Sequence, residues 1–387
     1  MKIFAVLGMF LFVFATYLMS DNKDKINWKS VGMAFFGQII LALILIKTPV
    51  WKGIEIISRG VEWVIAQSVE GINFVFGGLT ENYVFFLNAL LPIVFISSIM
   101  GLLFHFGILQ KFILVVGKLV ARVLKVDTLI AVNGITNMFM GQSDSLFVTK
   151  SYLPKASDSV IFATLVGGMT SISASVVGLY ASYGATMEWI IVSMPLTVFS
   201  TFVLTQIVMP TEYSEQTIAV ESDKGVNPID TAMSYAMAGF KSVIGIAVAL
   251  MVFLSIVALA NSILGAISPT LTLEKILGIV FYPLAILMGA PLNEVGIVSE
   301  ILATKLVLNE AVAFALPQFN MLSEATKAAV TVALCGFAGI GSCGILIGGY
   351  SAIAPEKVPT VAKLVVKALI VATIVNLLTG SVISILV

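Results

Sequence analysis

Charge is scarce in this chain. Only 11% of its 387 residues are Asp, Glu, Lys or Arg, the two signs balance at 21 each, and there are one histidine and two cysteines. Each scarcity excludes something. With no basic excess and no basic run, nothing marks a nucleic-acid backbone as a partner. Cys335 and Cys343 lie eight apart in one apolar segment. Two cysteines alone cannot build a zinc site, and these read as small packing residues rather than a disulfide. His105, alone in an apolar run, reads as structural. The chain has no Gly-x-Ser-x-Gly elbow and no phosphate-cradling Gly-Lys-Ser/Thr, so an enzyme is not expected and no cofactor is implied. What is present is apolar: 59% of the residues are hydrophobic and the mean hydropathy is +1.07. No soluble domain of this size has the interior to hide that much apolar surface, so the expected class is an all-α polytopic membrane protein.

Stretches long enough to span a bilayer, about 20 residues each, lie near 3–19, 31–48, 85–108, 158–184, 187–209, 242–264, 323–350 and 361–386. The first carries one Lys and a long apolar core like a signal peptide, but no small-x-small cleavage site follows, so it reads as a retained first span. Two segments, 53–76 and 109–126, carry charges at helical spacing among apolar residues and read as interfacial helices. Residues 210–230 form the most polar linker. The chain thus divides into N-terminal helices (1–84), a first unit (85–209), the linker, and a second unit (231–387). Lys23, Lys25 and Lys29 follow the first span, and Lys357, Lys363 and Lys367 surround the last loop. Both groups are expected on the cytoplasmic side, which puts both termini outside.

Each unit contains an interrupted apolar region. In the first, about 128–155, a polar knot "GQSDS" (141–145) precedes an apolar helix (about 158–184) that breaks at "GGMTSIS". In the second, about 276–318, "NEAVA" (309–313) precedes a helix (about 323–350) that breaks at "CGFAGIGS". A shift of 168 residues places Gln142 on Glu310, Gly168 on Gly336 and Ile172 on Ile340. Few identities survive this shift; what recurs is the order of polar tip, helix and Gly/Ser break. Repeats with broken helices mark secondary transporters, because mid-membrane backbone leaves the helix only where it lines a cavity or meets protein.

At these residues the chain resembles the concentrative nucleoside transporters. "GQSDSLFV" is similar to their first hairpin tip (Gly-Gln-Thr/Ser-Glu). "GAPLNEVGIVSEILATKLVLNEAVAF" (289–314) is similar to their second hairpin, and "CGFAGIGSCGILIGG" (335–349) to their seventh-helix break. The likeness extends through "GINFVFGGL" (71–79) and "LLPIVFISSIMGLL" (90–103). It implies eight transmembrane helices, two opposed re-entrant hairpins, interfacial helices, an inverted-repeat transport core and a homotrimer. The function implied is nucleoside import across the bacterial cytoplasmic (inner) membrane, driven by sodium or protons.

Residue by residue, the resemblance assigns the nucleobase to Gln142, Ser143 and Asp144 and the ribose to Glu310 and Ser342, with Phe337 beside them. It assigns sodium to Asn137, Met140, Ser171 and Ile172, the first and third through side chains and the others through backbone. Proton-coupled relatives tend to lack the Asn, so Asn137 favours sodium over protons. Two positions depart from the family. Asp144 replaces Glu, and Gly339 replaces a ribose-binding Asn, which leaves open whether the sugar is ordinary ribose. Glycine at a break is also open to a positive φ. Four of the assigned residues have a plainer role open to them. Gln142 could tie the hairpin backbone, Asp144 could form a salt bridge or cap a helix, Asn137 could cap the hairpin helix, and Glu310 could pair with Lys305 or Lys327. Glu294 and Glu300 are expected to be structural or gating. The alternatives to nucleoside symport are a cation-coupled carrier of a modified nucleoside or another solute, a passive channel, and a hydrolase using Asp144 and Glu310.

Overall fold

The structure, a computed structural model, describes residues 2–80, 82–142, 144–214, 218, 225–268 and 271–387. Among the described residues there is no strand. The first helix, α1, covers Lys2–Leu18. The second, α2 (Trp28–Lys47), starts at Asn27, whose side chain accepts from the Ser30 amide, a preferred N-cap. The segment at 53–76 falls within α3 (Val50–Phe76), which buries only Ile54, Ser58 and Ser68 and so lies on the flank. Next comes α4 (Pro92–His105), entered through a π-turn at Phe86–Leu90. The other amphipathic segment is α5 (Ile108–Leu124), bracketed by left-handed Gly107 (φ 76°) and Lys125 (φ 55°). It buries Leu109, Ile113, Gly117, Ala121 and Leu124, one stripe at helical spacing.

The short pair α6 (Thr128–Asn137) and α7 (Asp144–Val148) follows. After it come α8 (Asp158–Thr170), α9 (Val177–Ser182) and α10 (Met187–Val208). The same order then recurs: long α11 (Pro228–Ile267), flanking α12 (Leu273–Met288), a short-tipped pair α13 (Val295–Val307) and α14 (Glu310–Ala315), interrupted α15 (Glu324–Leu334) and α16 (Ile340–Ile353), and long α17 (Val358–Leu386). The interval 276–318 therefore holds more than a hairpin. Gly289 (φ 101°) ends α12, and α12 packs along α13 as α5 packs along α6, leaving 295–315 as the re-entrant part.

Among the described residues, six stretches are long and apolar enough to cross a membrane: Trp28–Lys47, Phe86–His105, Asp158–Ser182, Met187–Val208, Pro228–Ile267 and Pro355–Leu386. The 17-residue α1 and the interrupted pair α15/α16 bring the crossings to eight. The centre is built by α8, α10, α15 and α17, while α2 and α11 expose most of their apolar surface. Most hydroxyls inside this centre close on helix carbonyls or on each other, Thr331 of α15 being an exception. Thr197, Thr201 and Thr205 donate back one turn within α10, and Thr379 donates to Ser200 (2.8 Å), so polar side chains stay satisfied out of water. His105 Nδ1 meets Thr231 Oγ1 at 2.8 Å and ties α4 to α11, a structural role. Both cysteines are free.

The two interrupted helices meet at their breaks. The first stops where Ser171 turns extended (φ −103°, ψ 167°), and the second resumes from extended Gly339 (φ −137°, ψ 161°). Gly339 is thus not left-handed. The Phe337 amide donates to the Ser171 carbonyl (3.3 Å). A methyl on Gly336 would run into the Thr170 carbonyl and the Asn376 amide, so only glycine permits this crossing.

Candidate functional site

Both hairpin tips and both breaks face one cavity of about 500 Å³. From the first tip come Gly141, Gln142 and Asp144, and from the first break Ser173, Ser175, Val176, Leu179 and Tyr180. The second tip gives Leu308, Asn309, Glu310 and Ala311; the second break gives Phe337, Gly339, Gly341, Ser342 and Ile345. One wall, Ser242, Gly245 and Ile246, comes from α11. The cavity is concave, mostly apolar and carries a few polar groups, the form of a small-molecule site.

Of the residues expected at the substrate, Gln142, Asp144, Glu310, Phe337, Gly339 and Ser342 all line this space. Ser143 lies outside the described residues. Gln142 is buried and its Oε1 has no partner, leaving an acceptor free for a ligand donor. Asp144 opens α7 and also lines an adjoining small cavity with Met140 and Ser173. Glu310 is buried and accepts from the Tyr180 hydroxyl at 2.9 Å. That uses one of a carboxylate's roughly four acceptor positions. Tyr180 itself is fixed by stacking on Phe314 (4.7 Å between centroids). Ser342 donates to the Phe337 carbonyl, so it offers a ligand lone pairs rather than its proton. Asn309 caps α14, its Oδ1 accepting from the Val312 amide (2.9 Å). At Gly339 a Cβ would stand 3.1 Å from the Lys305 carbonyl and 3.5 Å from that of Leu308.

The four residues expected at the ion lie behind the first tip. Asn137 is the last residue of α6 and is buried; its Nδ2 donates to Asn133 Oδ1 (3.0 Å) while its own Oδ1 has no partner. As oriented, the pair leaves over one carbonyl oxygen, on Asn137, and one amide nitrogen, on Asn133. Asn137 Nδ2 is also 3.3 Å from where a Gly167 Cβ would be, and Ser171 Oγ donates to the Gly167 carbonyl (2.8 Å). Asn137 and Ser171 therefore share the last turn of α8. Met140 is half-buried beside the tip and Ile172 is buried in the break.

Of the alternative partners of Glu310, Lys305 interacts with its charge, though no hydrogen bond joins the two. Lys327 donates to Asn320 (3.0 Å) and sits over Phe319; the hydrogen bonds of Lys305 go to Ala333 and Asn376. Glu294 accepts from the Ser323 amide (2.9 Å) and hydroxyl (3.0 Å), joining the second hairpin to the start of α15. Sequence reasoning missed Tyr180, Ser173, Ser175 and the α11 wall. Nothing in their spacing distinguishes them from packing residues.

Buried backbone breaks, two re-entrant tips and a cavity with a few polar groups between repeats define a secondary transporter. The comparisons carry this further. The Na+ dependent nucleoside transporter C-terminus matches residues 189–384, its N-terminal counterpart 7–79, and a nucleoside recognition (Gate) module 86–187. The chain therefore belongs to the concentrative, Na+-dependent nucleoside transporter family, and its function is cation-coupled nucleoside import. It is 30% identical to the nucleoside permease NupC of Helicobacter pylori, over 98% of this chain and 97% of that protein. It is 27% identical to human solute carrier family 28 member 3, over 98% of this chain and 59% of that protein. Among solved structures, CNTnw in an inward-facing substrate-bound state superposes with a TM-score of 0.94 at 30% identity, covering 99% of this chain and 98% of that one. A variant of CNTnw in an outward-facing state gives 0.92.

Proposed function

We propose that the coupling ion is sodium and that it is held by Asn137 and Ser171 side-chain oxygens with the Met140 and Ile172 carbonyls. The unpartnered, buried Asn137 oxygen beside the α8 break supports this: an unmet acceptor inside the protein is costly unless a cation meets it. In front of it, Gln142, Ser143 and Asp144 bind the nucleobase, Glu310 and Ser342 bind the sugar, and Phe337 flanks them. The observation that carries this reading is the convergence of both tips and both breaks on one cavity that contains the free Gln142 acceptor and the buried Glu310 carboxylate.

Because Asn137 and Gln142 sit at the two ends of one tip, binding at either end orders it for the other, which couples ion to solute. The protein acts as a homotrimer in the bacterial cytoplasmic membrane with both termini outside. The chain divides at the polar linker into two units, 85–209 and 231–387, whose hairpins and broken helices make the transport core.

The test is uptake into proteoliposomes. An inward sodium gradient should concentrate labelled nucleoside above equilibrium and leave it chemically unchanged. A proton gradient in potassium or choline should not. Equal accumulation with protons alone would sink the sodium assignment. Equilibration without concentration would leave a channel.

A further inference from the structure

The second repeat has its own residue at the position of Asn137. The shift that lays Gln142 on Glu310 lays Asn137 on Lys305 and Ser171 on Gly339. In the first repeat, α6 ends on a neutral side chain with an unmet oxygen. In the second, the last turn of α13 carries a buried ammonium that already donates two hydrogen bonds. Lys305 Nζ donates to the Ala333 carbonyl in the last turn of α15 (2.7 Å) and to Asn376 Oδ1 (2.7 Å). Asn376 Nδ2 passes the contact on to the carbonyl of Thr170, the last residue of α8 (3.1 Å). One ammonium and one amide thus serve the carbonyl ends of both interrupted helices, where helix dipoles gather negative partial charge. The oxygen that Ser171 would contribute is missing at Gly339, and the Lys305 backbone fills the space a side chain there would need.

We propose that Lys305 is a tethered cation: its ammonium does permanently in the second repeat what the mobile cation does in the first, so that one free ion, not two, is needed to complete the core. This rests on the assignment of the first-repeat cation site. It makes a specific demand: replacing Lys305 by the residue of the other repeat should open a place for a free ion.

The experiment uses full-length purified protein. Thermal unfolding is followed in sodium and in choline chloride at equal ionic strength, for Asn137→Ala alone and combined with Lys305→Asn or Lys305→Met. Asn137→Ala alone should lose the sodium-dependent rise in midpoint; if it keeps the wild-type rise, the first-repeat assignment is wrong and the proposal falls with it. On that background both Lys305 variants should unfold several degrees lower in choline. Sodium should restore Lys305→Asn and not Lys305→Met. With Asn137 intact, Lys305→Asn should change the sodium dependence of uptake from hyperbolic to sigmoidal. A Lys305→Asn protein no more stable in sodium than in choline, or never recovered folded in sodium, overturns the proposal, as does a Lys305→Met protein as stable as its parent.

Discussion

The two hairpin tips do the same topological job with different materials. The first leaves six residues, 138–143, between α6 and α7, and buries two unpartnered oxygens, one on Asn137 and one on Gln142. The second has only Leu308 and Asn309 between its helices, is capped by the Asn309 side chain, and carries a buried lysine and a buried carboxylate, each already holding a hydrogen bond. The first tip is therefore incomplete without a ligand, and the second is largely complete. A buried acceptor left unmet costs about 1–3 kcal/mol. On the proposed assignment, ion and solute would fill the first tip, with the second as a fixed wall to close against.

Substitutions can break this contrast. The largest effect is expected from Asn137→Ala, which removes the free oxygen outright. Sodium activation of uptake should fall by two orders of magnitude or more, a loss of roughly 3 kcal/mol, while the order of preference among nucleosides stays. A normal sodium response in the folded variant would end the assignment. Next is Glu310→Ala, expected to weaken nucleoside binding by about 10- to 150-fold, the range for a hydrogen bond to a charged group. Titration calorimetry on purified protein measures it.

Gln142→Ala should cost roughly 5- to 10-fold in affinity, as for one neutral hydrogen bond, with elution on a sizing column unchanged because the tip packs little of the core. Tyr180→Phe sharpens the comparison on the second side. It removes one donor from Glu310 and keeps the ring on Phe314, so about a fivefold change in affinity is expected. A change as large as that of Glu310→Ala would make Tyr180 a ligand contact. The smallest effect is that of Gly339→Ala. Its backbone suits any residue, but the Cβ would press on the Lys305 carbonyl at 3.1 Å. A two- to threefold loss is expected, and Gly339→Asn should recover part of it for ribonucleosides and none for nucleosides lacking the hydroxyl it reaches. No recovery for any nucleoside would mean that the sugar does not approach this position.

Much of this was legible in the sequence. Long apolar stretches located the crossings, and Asn-Glu and Gly-Gln-Ser-Asp located the tips, because such polar groups survive in lipid only where they face partners. What escaped was set by tertiary packing. Tyr180 lies in an apolar run and reaches Glu310 across 130 residues. Asn376 sits in the middle of α17, where nothing local shows that it joins both breaks. The extent of the second re-entrant segment was blurred because α12 and α13 are equally apolar, and only the left-handed Gly289 between them marks where one ends. Lys305 was noticed only as a candidate partner for Glu310, whose charge it does interact with; its hydrogen bonds go to backbone and amide oxygens that no sequence pattern displays.

The length of α11 has a consequence of its own. Its 40 residues make a rod of about 60 Å, twice the roughly 30 Å of a bilayer's hydrocarbon. Ser242, Gly245 and Ile246, which wall the cavity, fall near its middle. From residue 246 to the end of the helix is alone about 33 Å. A rod of that length with its midpoint at the cavity lies as a diagonal or stands well clear of the lipid. For a diagonal, packing against neighbouring helices such as α4 sets the angle, and the angle sets where the cavity wall sits. The packing of one long rod against α4 is thus a lever on the cavity wall as well as a membrane crossing.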